Sequence, residues 1–172
     1  MKRFVLIIAA MALLIATALP ASAKKPSSNL SGPMDIVFAP IHGSICGPDV
    51  FWYGTVELHD VTYGMTFAAA AEPSKFVGNT QHYWEDFAIF DGVPAGEPED
   101  WTECPDDGNS VLEGDLKGVG RFSNGKITEN GTVTDASFPF GEWDGRRMHA
   151  DGVVEELAPG VPSGFTGTIR FN

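Results

Sequence analysis

Between Gln81 and Phe87 a histidine, a tryptophan and an aspartate fall at every second position: His82, Trp84 and Asp86, with Tyr83 and Glu85 interleaved. Alternate residues of an extended chain share a face. An imidazole, an indole and a carboxylate would then stand side by side along one strand. That combination can exchange a proton near neutral pH, or hold a polar ligand against an aromatic wall. Two more histidines keep similar company. His59 shares its parity with Glu57, Tyr53 and Phe51, and His149 with Arg147 and Asp151. Tyr63, Met65 and Phe67 alternate likewise and offer an apolar wall. The candidate binding residues are therefore His59, Tyr63, His82, Trp84, Asp86 and His149. The ordinary roles of these residue types, a solvated face or core packing, compete at every one of these positions.

Catalytic signatures are missing. Gly-x-Ser-x-Gly does not occur, and Gly160-Val-Pro-Ser-Gly164 has the wrong spacing for a nucleophile elbow. There is no His-Glu-x-x-His zinc helix and no Gly-x-x-x-x-Gly-Lys phosphate loop. No catalytic residue, metal or cofactor is expected on this ground. The acidic stretch 91–110 is rich enough in carboxylates for calcium, but Asp106-Asp107-Gly108-Asn109-Ser110 fails the EF-hand register. A solvated loop is the simpler reading. Trp101 and Trp143 lie at turn-like segments and are the tryptophans expected to be exposed. Arg146-Arg147 could offer one guanidinium to an anionic group, or pair with Glu142, Asp144 or Asp151 nearby.

The chain around these residues has 172 residues with 11 Lys+Arg against 23 Asp+Glu, a formal net charge of -12. Such a surface repels a phosphate backbone or an anionic membrane, so neither is an expected partner. Residues 1–23 read as a signal peptide: Lys2-Arg3, an apolar run from Phe4 to Ala18, then Ala21-Ser22-Ala23 before the cut. The run is about 15 residues, short of the roughly 20 that span a bilayer. A secreted or periplasmic location follows, with no membrane span after cleavage. In that oxidising setting Cys46 and Cys104 are expected to form one disulfide.

Residues 24–33 read as a flexible leader, and 34–172 as a single domain containing the acidic loop 91–110. The domain alternates with a period of two. Leu112, Gly114, Leu116, Gly118, Gly120 and Phe122 oppose Glu113, Asp115, Lys117 and Arg121. Phe165, Gly167, Ile169 and Phe171 oppose Thr166, Thr168 and Arg170. Asn-Gly at 124 and 130, and Asp-Gly at 91, 107, 144 and 151, suit tight turns. Only Phe67–Glu72 looks briefly helical. About eight or nine strands are expected, 125–128 and 131–138 as separate ones, in an all-β antiparallel barrel or a strongly rolled sandwich. Glycine-rich faces and the absence of unpaired edges favour the barrel.

The architecture resembles small secreted β-barrels that carry apolar ligands, a likeness of layout and not of motif. Three functions remain open. The first is a non-enzymatic binder of a small, lipid-like ligand in a cavity lined by Tyr63, Met65 and Phe67, with a few polar groups such as His82. The second is a carbohydrate-binding or protein-interaction module using exposed tryptophans. The third is a small isomerase, cyclase or hydrolase with a His–carboxylate pair. Oligomeric state has no signature in the sequence.

Overall fold

The computed structural model describes residues 30–38, 51–69, 74–92, 109–158 and 161–172. The expected signal peptide, Cys46 and Cys104 with their expected disulfide, Trp101 and nearly all of the acidic stretch 91–110 lie outside the described residues. Nine strands follow one another: β1 (Leu30–Phe38), β2 (Phe51–Leu58), β3 (Val61–Ala69), β4 (Lys75–Val77), β5 (Thr80–Phe90), β6 (Ser110–Arg121), β7 (Lys126–Ala136), β8 (Arg147–Ala158) and β9 (Val161–Phe171). Every pairing is antiparallel. The sheet order is β3-β2-β1-β9-β8-β7-β6-β5-β4, and β3 also pairs with β5.

That last pairing decides between the two architectures. From Gly64↔Phe90 to Ala69↔Glu85, β3 and β5 join the ends of the meander and close an eight-stranded barrel. β5 runs on past β3, and there β4 takes over the same edge, with Lys75 opposite His82. Closure removes the unpaired backbone groups that an open sheet would leave at β3 and β5.

Alternation sorts the side chains. On β6, Leu112, Gly114, Leu116 and Gly118 are buried while Glu113, Asp115 and Lys117 are exposed. Phe165, Ile169 and Phe171 of β9 are buried, and Thr168 and Arg170 face solvent. Expectation and structure differ at two Gly-containing pairs. Asn130-Gly131 lies inside β7, one continuous strand, and Asp151-Gly152 lies inside β8. At Gly131 the missing side chain lets the Asp115 carbonyl and Leu116 come close, where a Cβ would collide with both. Glycine serves close strand packing there instead of a turn. The turns do form at Asn124-Gly125 and Asp144-Gly145, with φ of +64 and +70 at the glycines. β1 opens at Leu30 and so takes in the last residues of the expected leader. Phe67–Ala69, expected to begin a short helix, belong to β3.

One end of the barrel is plugged. The β7–β8 connection makes a short 3-10 turn, Gly141–Trp143, held by Trp143 N–H donating to the Phe140 carbonyl at 2.8 Å and Gly145 N–H to Val133 at 3.0 Å. It drives Trp143, 2% exposed, against Phe171 with ring centroids 6.4 Å apart. Phe140 packs edge-on to Tyr63 at 5.3 Å. The expected exposure of Trp143 is therefore corrected. A large ring beside a turn is accommodated because it caps the mouth of the barrel.

Candidate functional site

Parity places each candidate. On β5 the core residues Phe87 and Ile89 point inward, so Tyr83 and Glu85 share the interior. His82, Trp84 and Asp86 line the outer face together. His149 is on the outer face of β8. His59 occupies the β2–β3 turn, with φ of +53, followed by Asp60 at +61, and its ring lies 6.5 Å from Phe140. Tyr63 is inside, packed beneath Phe140 at the plugged end, in the same apolar cluster as Met65 and Phe67.

The outer faces of β5 to β9 form a groove of about 870 Å³, lined in turn by Trp84 and Asp86, Asp115 and Lys117, Asn130 and Thr132, Arg147 and His149, and Arg170. Trp84, Asp86 and His149 thus meet at one feature, with His82 a step further along β5. A polar network holds His149. Its Nε2 stands 2.7 Å from Asp151 Oδ2, and its Nδ1 stands 2.8 Å from Asn130 Oδ1. Thr128 donates to Asp151 Oδ1 at 3.1 Å, and Arg170 lies 3.5 Å from Oδ2. Burial alone would push the Asp151 carboxyl up, but hydrogen bonds from His149 and Thr128 and the charges of His149 and Arg170 outweigh it and hold it below its usual range. Asp86 moves the other way, through burial, the facing charge of Asp115 and a hydrogen bond shared between the two carboxyls. Lys75 sets its ammonium 5.1 Å from the centre of the Trp84 ring.

The barrel interior holds a second polar group that sequence reasoning passed over. Glu129 of β7 is 1% exposed, among the apolar residues of the core. Tyr83 donates to its Oε1 at 2.9 Å. Its Oε2 is buried with no hydrogen-bond partner among the described residues. Burial pushes the Glu129 carboxyl up to about 7, even though the Tyr83 hydrogen bond pulls it down. Glu85 is raised well above its ordinary value, by burial first and then by the charge of Glu129. The Tyr83 phenol is raised as well, by burial and by its two carboxylate neighbours. One sign of this site is in the sequence: Ile127, Glu129, Gly131 and Val133 share a parity, and a glutamate has no place in an apolar row unless something answers it.

Gly118 makes the arrangement possible. From β6 it faces Tyr83 of β5 on one side and Glu129 of β7 on the other. A Cβ on Gly118 would fall on the Tyr83 ring, so the bare backbone is the bed across which the phenol reaches Glu129. Gly118→Ala is expected to destabilise the protein by about 1–3 kcal/mol through overpacking. In a Tyr83→Ala background the same change should cost little. A double-mutant cycle of urea midpoints measures that coupling, and additive costs would separate Gly118 from Tyr83.

The fold and these sites define a class: a closed eight-stranded antiparallel meander barrel with a buried acidic cluster and a polar outer groove. Compared with known proteins, the chain matches no family model, no curated protein and no solved structure.

Proposed function

We propose that this is an exported, non-enzymatic carrier of a small amphiphilic ligand, whose hydrogen-bond-donating end rests on Glu129 inside the barrel. The observation that carries this reading is the buried Glu129 Oε2, which has no hydrogen-bond partner among the described residues. A carboxylate oxygen without a donor in an apolar interior is costly, and the cost is relieved when a ligand N–H or O–H supplies the missing bond. Tyr83 holds the other oxygen and orients the group. Glu85 adds a second carboxyl, so an amine suits the site better than an anion, since it offsets the repulsion between the two. Phe67, Phe165 and Ile127 provide apolar surface for the rest of such a molecule.

A fluorescent apolar amine, 1-aminoanthracene, tests the reading. The protein should bind it with a blue shift and enhanced emission, and an anionic naphthalene sulfonate should bind far more weakly. Glu129→Leu should weaken the amine about tenfold or more, the value of one hydrogen bond to a charged group. Circular dichroism checks that the variant stays folded. Equal affinity in wild type and variant would overturn the reading. A second reading rests on the outer groove, where Trp84 beside Asp86, Asn130, Arg147 and His149 joins an aromatic face to planar polar groups, a combination suited to a glycan. On that reading Trp84→Ala, and not Glu129→Leu, is the change that abolishes binding, with a soluble polysaccharide as probe.

A further inference from the structure

The end of the barrel opposite Trp143 carries an apolar tip built from two hairpins. Phe76 and Val77 stand on the β4–β5 hairpin and Phe122 on the β6–β7 hairpin. They are 65%, 67% and 63% exposed. The two phenylalanine rings stack face to face, with centroids 6.2 Å apart and planes 11° from parallel. The Phe122 N–H donates to the Asn79 carbonyl at 3.0 Å and ties one hairpin to the other. Beyond that stack these side chains bury little, so the patch is a firm one presented to the surroundings.

The charges around it run against those of the chain as a whole. Arg121 and Lys126 flank the apolar residues, and Lys75 stands at the base of the β4–β5 hairpin with its ammonium against the Trp84 ring, from which it can swing to the tip; all three are exposed. The segments 74–81 and 121–128 hold no acidic residue in a chain that has 23. Among the described residues, the acidic side chains at this end are Glu155 and Glu156, on β8 and another part of the rim. Net charge argues against an anionic surface only when the charge is spread evenly, and here the cations gather around the apolar tip.

We propose that this tip docks the protein on an anionic lipid bilayer, with Phe76, Val77 and Phe122 inserted among the headgroups and Lys75, Arg121 and Lys126 on the lipid phosphates. Apolar side chains ringed by Lys and Arg are the chemistry of an interfacial anchor. Attraction of each cation to an anionic leaflet adds to that of the others. β5 leads from the tip straight to Tyr83, so docking would set the same end of the barrel as the Glu129 cluster toward the lipid. The anchor itself holds whatever the barrel binds.

Co-sedimentation with vesicles tests the proposal, comparing phosphatidylcholine alone with phosphatidylcholine mixed with phosphatidylglycerol. The protein should bind the mixed vesicles, and added salt should weaken the binding. Lys75→Gln, Arg121→Gln and Lys126→Gln together should lower affinity on the order of a hundredfold, from about 1 kcal/mol per cation. Phe76→Ser with Phe122→Ser should abolish binding while leaving thermal unfolding nearly unchanged, because both rings are on the surface. The proposal fails if both vesicle types bind equally, if neither binds, or if the serine and glutamine variants bind like wild type. It also fails if gel filtration shows a dimer that the serine variant breaks, since the tip would then be covered by a second copy.

Discussion

Glu129→Gln is expected to make the protein more stable at about pH 8 and leave it nearly unchanged at about pH 4. The wild-type carboxyl is raised from 4.5 to about 7. Across that window the native state keeps a proton that the unfolded chain has released, so stability falls as pH rises, and above the folded value the deficit is complete. Each unit corresponds to 1.36 kcal/mol, which makes the deficit on the order of 3 kcal/mol. Glutamine keeps an acceptor for Tyr83 and cannot ionise, so it removes the deficit. Glu85 is shifted in the same direction, partly by the charge of Glu129, and its rise should shrink in the variant. Asp151 is shifted down, so its contribution is lost only below the range at issue. Urea midpoints collected from about pH 4 to about pH 8 measure the effect. Variant and wild-type curves that stay parallel throughout would mean that Glu129 does not titrate in the folded barrel.

The second large effect belongs to the plug. Trp143→Ala should destabilise the protein by about 3–5 kcal/mol, the range for deleting a buried aromatic side chain. For a chain of this size that lowers the melting temperature by on the order of 10 °C. The loss has two sources. The indole leaves a void against Phe171, and the 3-10 turn that carries it loses its anchor in the barrel. Trp143→Phe should recover part of the loss by keeping an aromatic ring in the mouth. Amine binding at Glu129, measured well below the melting temperature, should survive both changes, because the two features occupy different ends. A Trp143→Ala variant as stable as wild type would show that the turn only rests on the barrel.

How much of this was readable in advance differs between fold and site. The strands were, because a side-chain period of two and turn residues at the breaks are local properties. The spacing of Leu112, Leu116, Phe165 and Phe171 already marks them as core, and they are. Asn130-Gly131 suits a turn by residue type yet lies within a strand, because a glycine that permits positive φ also permits close strand packing, and only the neighbouring strand decides which use applies. The same ambiguity affects β5. His82, Trp84 and Asp86 run into Ala88 and Phe90, while Tyr83 and Glu85 run into Phe87 and Ile89, so either row could have been the inner one. The glycine row of β6, bare at Gly118 opposite Tyr83, marks the inner side once the register is known.

By itself, then, the sequence determined an all-β chain of short antiparallel strands, each with one apolar side. Those features follow from the backbone geometry of single strands and hairpins. Only the tertiary structure decided that β3 meets β5 and turns the meander into a barrel. It also decided that Trp143 plugs one mouth, that Glu129 lies inside with an oxygen unanswered, and that Phe76 and Phe122 meet on neighbouring hairpins. Each of these depends on residues far apart in the chain, and closing the ring is the physical event that brings them together.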